Sequence, residues 1–304
     1  MLFRSVVVGA VVIAASVGRA QAPTADVAPF LRGAIDIHVH AYPDSRPRSL
    51  DVIDVAKQAK AAGMRAVVIK NHYEFTSGQA YIVRKAVPGI DIFGGVDLNL
   101  PVGGINPAAV EYMASTSGGY GKIVWMPTFD SENQVRFSRE NRPFVSVAKN
   151  GALLPAVKQV IGVIARHNLV LATGHSAPAE GLALLREGRK QGVRHMVVTH
   201  AMNEPIQMTV AQMQEAVTLG AFVEFVGQNI GDKDGKARMD RFADAIRKVG
   251  PEHCILSSDL GQKDNPLPAQ GYGAFLAAMK AHGFSDQQID VMSRKNPATL
   301  LDLH

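Results

Sequence analysis

Two histidines, His38 and His40, close the apolar run Ala34-Ile35-Asp36-Ile37-His38-Val39-His40. In an extended chain, side chains two apart face the same way, so both imidazoles project from one face at the strand's C-terminal end. Neutral imidazole is a common metal ligand, and two on one rigid strand make half of a metal site. Other apolar runs end in groups of the same kind: Lys70 and His72 in one, then His175, His200 and Asp259. Five of the ten histidines stand at such ends. The other five, His167, His195, His253, His282 and His304, fall at helix ends, strand starts or the terminus and read as surface or capping residues. A divalent cation lowers the pKa of bound water from about 15.7 toward about 7 and polarises a carbonyl under attack. A carboxylate beside that water can carry its proton to the leaving group.

Such residues act together only if a fold gathers strand ends in one place. Eight strand candidates run Ala34 to His40, Arg65 to His72, Asp91 to Asn99, Lys122 to Thr128, Leu169 to His175, His195 to His200, Ala221 to Gln228 and Cys254 to Asp259. Between them lie stretches with apolar spacing of three and four, such as Leu154, Val157, Val160, Ile161 and Ile164, or Met239, Phe242, Ile246 and Val249. Strand and helix in alternation, with near-continuous apolar strands, predict a parallel sheet covered by helices. Eight units predict an α/β fold of the (β/α)8 barrel type, whose active site lies at the C-terminal strand ends. The rival, an open doubly wound sheet, lacks the Gly-X-Gly-X-X-Gly turn after the first strand. Ser285-Asp286-Gln287-Gln288 reads as a helix N-cap opening a C-terminal closing helix.

Taken in order, His-X-His on strand one, a histidine each on strands five and six and an aspartate on strand eight, the chain resembles the amidohydrolase superfamily of metal-dependent hydrolases. The segments Lys70-Asn71-His72, Gly103-Gly104-Ile105-Asn106-Pro107, Trp125-Met126-Pro127-Thr128, Ala172-Thr173-Gly174-His175 and Ser258-Asp259-Leu260-Gly261-Gln262 are similar to an amidohydrolase-related family without an assigned reaction. The resemblance implies one metal held by His38, His40 and Asp259 and a second by His175 and His200. It also implies that Asp259 takes a proton from the metal-activated water. Many binuclear members bridge their metals with a carboxylated lysine or a glutamate from strand four. Here Lys122 stands six residues before Thr128, roughly 20 Å down a strand rising about 3.3 Å per residue. Lys70, two residues before His72, is at the right depth, and either bridges the metals as a carbamate or orients substrate through its charge.

Around this set, His72 is a metal ligand, a substrate contact or a support for a ligand, with substrate contact the favoured role, and Tyr73 and Glu74 follow on a loop facing either cleft or solvent. Asn99 and the Gly103-Gly104-Ile105-Asn106 turn either approach substrate or form a tight turn capped by Asn106 ahead of a helix at Pro107. Arg136, Arg139 and Arg142 occupy the long connection after strand four. They form either a lid pairing with a substrate carboxylate or phosphate, with Arg136 the leading candidate, or a solvated face. Glu224 alternates with Phe222 and Val226, points into the barrel and needs a partner.

Of 304 residues, 47% are hydrophobic and 19% charged, enough for one large domain. The N-terminus is separate: Arg4, an apolar Val6 to Val17 and Ala20-Gln21-Ala22 read as a secretory signal peptide over residues 1–22, too short to span a bilayer. Residues 23–304 are then the barrel domain, entered by a flexible Pro23 to Pro29 segment, in a periplasmic or secreted protein. Losing Arg4 and Arg19 lowers the net charge of +5 by two, and no basic run interleaved with aromatics points to nucleic acid. Cys254, the only cysteine, permits no internal disulfide. The expected activity is hydrolysis of an amide, lactam or ester bond in a small molecule. One or two divalent metals are expected, zinc first because the ligands are mainly imidazole, with manganese, cobalt or iron able to bind the same groups. The rivals are a mononuclear deaminase or phosphoesterase and a non-catalytic periplasmic metal or ligand binder. After cleavage no membrane partner is expected, and a homo-oligomer is open.

Overall fold

The computed structural model describes residues 26–303; the stretch over residues 1–22 that was expected to be a signal segment lies outside them, as does His304. Eight strands form one sheet in chain order: β1 (Ile35–Val39), β2 (Ala66–Ile69), β3 (Asp91–Asp97), β4 (Gly121–Trp125), β5 (Val170–Ala172), β6 (His195–Val198), β7 (Phe222–Val226) and β8 (Cys254–Ser257). All neighbours pair in parallel. The segment after β8 returns to β1: Asp259 N donates to His38 O at 2.9 Å, His40 N donates to Leu260 O at 2.8 Å, and Val39 bridges Leu260. These bonds close the (β/α)8 barrel.

The buried strands serve two cores because their side chains alternate. In β2, Ala66 and Val68 join the barrel interior, while Val67 and Ile69 lie in the layer beneath the helices. That outer layer packs helices such as Pro155–Arg166, Gly235–Val249 and Pro268–Ala281 through Val160, Ile161, Phe242, Phe275 and Leu276. Caps fix where helices start. Asp51 accepts from Asp54 N at 2.8 Å ahead of Val52–Ala61, and Asn106 accepts from Ala108 N at 3.1 Å ahead of Pro107–Ser115. The Gly103–Asn106 turn is thus the capped turn.

The tail closes the end of the barrel opposite the site. Ser285 and Gln288 form a capping box on Asp286–Asp290, a π-helical turn covers Val291–Lys295, and Asn296–Leu300 follows. Ala298, Leu300 and Leu301 enter the interior core, and Asn296 Nδ2 donates to Cys254 O at 2.7 Å at the start of β8. The closing element is therefore three short pieces. The Pro23–Pro29 segment, expected to be flexible, is described from Asp26 and there forms the turn Ala28–Leu31, with Val27 and Leu31 buried.

Two local features aim the site. The β1–β2 register shifts between Asp36 and Val39; Ile35 and Ile37 face the interior core, whereas Val39 lies in the outer layer. Such an irregularity switches the phase of the strand and turns His38 and His40 together toward the open end. The strands are also shorter than the sequence predicts, so Lys70, His72, His175, His200 and Asp259 stand just past them. His200 (φ 22°) and Asp259 (φ 52°) leave their strands in left-handed backbone, a costly conformation that concentrates at functional sites. Gly261 is required by close approach: a Cβ there would lie 1.8 Å from His40 O.

Candidate functional site

His38, His40 and Asp259 converge. His40 Nε2 lies 2.9 Å and His38 Nε2 3.2 Å from the same oxygen, Asp259 Oδ1, all three residues being buried. The ligand atoms of the trio lie within 4.8 Å of one another. His38 Nε2 has no aligned hydrogen bond, and neither does the buried His200 Nδ1. Two imidazoles and a carboxylate aimed at one point, with a buried nitrogen left unpaired, are a donor set that a divalent cation fits.

Glu224 explains why His38 points this way. From β7 its Oε1 accepts from Ser257 Oγ at 2.6 Å and lies 3.1 Å from His38 Nδ1, while Oε2 accepts from His200 N at 2.8 Å. A carboxylate on Nδ1 fixes the ring's orientation and leaves Nε2 for the centre. Glu224 thereby ties β1, β6, β7 and β8 together, and its partner is no longer open. His175 and His200 face the same space with their Nε2 atoms 3.2 Å apart, and His175 Nδ1 is held by Gln134 Oε1 at 2.8 Å.

Lys70 is wholly buried, and its Nζ lies 3.1 Å from Asp97 Oδ2 at the end of β3. Around the pair, Thr128 Oγ1 donates to Asp97 Oδ2 at 2.9 Å and lies 3.0 Å from His72 Nδ1. His72 stacks on His40 with ring centroids 4.9 Å apart and packs against Phe129 at 4.0 Å. The carboxylate partner that a buried lysine needs is therefore Asp97.

Burial and charge set the protonation states. Burial works against a charge on His38, but Asp259 and Glu224 outweigh it and raise its pKa. Burial raises the carboxyl of Asp259, yet His38, His40 and His200 hold it well below the usual carboxylate range. Burial pushes His40 down to about 3 and His200 to about 4, and lowers His72 and His175 as well, so these four rings are neutral. Burial raises Asp36 to about 7 and raises Asp97. These shifts predict acid lability. Each lowered histidine takes up protons on unfolding, which contributes stability at neutral pH that is lost as pH falls from the ordinary value of 6.5 toward about 4. Asp36, Asp97 and His38, whose pKa values are raised, act oppositely, while the lowered carboxylates of Asp259 and Glu224 add to the four histidines, so the acid-labile groups of the cluster outnumber the others. The metal-free chain should therefore melt at lower temperature near about pH 4.5 than near about pH 7. An equal or higher midpoint in acid would contradict the neutral-histidine arrangement.

A cavity of about 350 Å³ opens over this cluster, lined by His38, His40, Lys70, His72, His175, His200 and Asp259 together with loop residues. Two expected substrate contacts are not in it. Asn99 is fully buried and spent on structure: its Nδ2 donates to His72 O and Thr128 Oγ1, both at 2.7 Å, and its Oδ1 accepts from Thr128 N and Asp130 N. Arg136 has a side chain 70% exposed, outside the cavity, and pairs with Glu132 one helical turn earlier. Arg142 pairs with Asp130 and Glu140, so Arg136 and Arg142 serve that connection's own carboxylates. Of its residues, Phe129, Gln134 and Phe137 reach the cavity. Glu74 accepts from Asn71 Nδ2 at 2.7 Å within its loop. Sequence reasoning passed over Asp97, although it stands two before Asn99 in the same phase as Lys70 before His72. Arg46, Arg48 and Phe129 lie on irregular loops with no period to mark them.

The comparisons with known proteins agree with this layout. A family of unknown function, DUF6282, matches residues 33–224, and the phosphotriesterase family matches residues 150–301. No curated protein sequence matches the chain. Among solved structures, an amidohydrolase from Pseudomonas aeruginosa superposes with a TM-score of 0.62 at 11% identity, over 92% of this chain and 98% of that one. An organophosphorus hydrolase from Deinococcus radiodurans, a point mutant, gives 0.58 at 14% identity, over 90% and 94%. A 2,6-dihydroxybenzoate decarboxylase from Rhizobium gives 0.54 at 12% identity, over 90% and 99%. At these identities the structures show the shared barrel and leave the reaction open. The family matches cover every strand of the barrel between them, and the chain belongs to the DUF6282 family and, with the phosphotriesterase family, to the amidohydrolase superfamily of metal-dependent enzymes.

Proposed function

We propose that the chain hydrolyses an amide, lactam or ester bond of a small molecule in this cleft, with His38, His40 and Asp259 holding a divalent cation. The observation that carries the reading is the convergence of those three side chains, with His38 oriented from behind by Glu224. A divalent cation supplies acidification of water and polarisation of the carbonyl under attack. Zinc suits the imidazole-rich set best, and manganese, cobalt or iron would bind the same groups. His175 and His200 would hold a second ion.

Asp259 is the proton carrier. Its depressed pKa keeps it ionised at neutral pH and makes it a weak base, so it acts on a water whose proton is already loosened, then returns that proton to the leaving group. His72, with Nδ1 taken by Thr128, turns its remaining edge to the cleft and orients substrate. For Lys70, Asp97 at 3.1 Å favours an ammonium, since a carbamate would set a second buried anion against it. A Lys70→Met variant should then keep its metal content while losing about 3–5 kcal/mol of stability through the unpaired Asp97. Elemental analysis beside a urea melt checks this, and loss of metal would return Lys70 to the bridging role.

One observation favours a mononuclear deaminase or phosphoesterase as the second reading. Among the described residues, His38, His40 and Asp259 form the sole three-donor cluster, and Lys70 is engaged by Asp97. The test is an assay of the metal-loaded chain on lactones, lactams, amides, esters, aminated heterocycles and phosphoesters. Turnover of the first four classes supports the proposal, turnover confined to the last two supports the second reading, and ligand retention without turnover indicates a binder.

A further inference from the structure

The rim of the cleft carries charge that the hydrolytic chemistry does not use. The loop after β1 brings two arginines to it, Arg46 and Arg48, and both line the same cavity as the histidine cluster. Arg48 is 5% exposed, with Nε donating to Asp44 Oδ2 at 2.6 Å and Nη2 at 2.5 Å from the same oxygen. The Nε bond holds one edge of the guanidinium and fixes its plane, and Nη2, though close to Asp44, is a buried nitrogen with no aligned hydrogen bond. Arg46 is exposed, stacks on the Phe129 ring at 4.2 Å and lies beside Tyr73. Phe129 in turn packs on His72. The wall therefore runs from cation to aromatic ring to imidazole, beside the Lys70 ammonium. Glu204 is the one carboxylate on the lining besides Asp259.

We propose that Arg48, with Arg46 closing over it, binds a carboxylate of the substrate remote from the bond that is cleaved. A planar guanidinium with a fixed orientation is matched to a planar carboxylate, and a rigid partner such as Asp44 lowers the entropy lost on binding. The substrate class is thus an anionic small molecule, a carboxylated lactone, lactam or amide, instead of a neutral ester. This rests on the cleft's being the substrate site, as proposed above.

The test reads binding without turnover, so it separates from the failure of the hydrolase reading. Calorimetry on the metal-loaded full chain would compare succinate with its neutral diamide, succinamide. Succinate is expected to bind at least about tenfold more tightly. Arg48→Met should abolish that preference, Arg48→Lys should recover part of it, and Arg46→Gln, at an exposed position that leaves the fold intact, should weaken succinate several-fold. Arg136→Gln, outside the cavity, should change nothing. Equal binding of the two probes, or a succinate preference untouched by both Arg48→Met and Arg46→Gln, would overturn the proposal. The second result would leave the anion to the metal and Lys70.

Discussion

Asp259→Asn is expected to lower kcat by about two to four orders of magnitude, the usual worth of a positioned proton-transfer group. The amide preserves the shape of the carboxylate and its place between His38 and His40, but it cannot accept the proton and is a poorer cation ligand. Both losses fall on the reaction step, so kcat should fall much more than KM rises. Steady-state kinetics on any substrate found, with metal content measured on the same preparation, checks this. A variant that kept its kcat while fully metallated would remove Asp259 from the chemistry. A folded wild type that bound ligand and never turned over would make the cleft a binding site.

Glu224→Ala should weaken metal binding by about 10- to 100-fold without touching a single proposed ligand. Glu224 is the acceptor for His38 Nδ1, His200 N and Ser257 Oγ at once, and it is 2% exposed, so no water stands ready to replace it. Removing it leaves buried donors unpaired and should also cost about 3–5 kcal/mol of stability. Glu224→Gln separates the two effects, since it fills the space but lacks the charge that raises the pKa of His38. Chelator competition measures affinity and a urea melt measures stability. If Glu224→Ala lost stability yet bound metal as tightly as wild type, the residue would be a strut and nothing more.

Much of the architecture was legible because barrel strands buried on both faces leave an unbroken apolar signature, as in Ala66-Val67-Val68-Ile69, and helices between them show the helical period. The clustering of His38, His40, His175, His200 and Asp259 followed from one rule, that strand ends converge. What the rule could not supply was partnership. Asp97 faces the interior in phase with the site, but a lone aspartate in a strand gives no sign that a lysine on the next strand needs it. Asn99 carried the residue type of a substrate contact, and only three dimensions show its amide consumed by two loops. Arg136 looked available because its connection is long; its nearest carboxylate, Glu132, is one helical turn away, an i,i+4 relation that could have been read from sequence. Arg48 could not have been preferred over Arg136, because the loop after β1 has no periodicity from which to read direction.

The measurement that bears most directly on the account is the metal-to-protein ratio of the purified chain after gentle dialysis, by elemental analysis, alongside a His38→Ala/His40→Ala variant. At least one divalent ion per wild-type chain is expected, and none in the double variant. A second ion lost on replacing His175 or His200 would complete the proposed centre. A wild type that holds no metal and gains none on adding zinc, manganese, cobalt or iron would contradict the claim that His38, His40 and Asp259 were brought together for a cation.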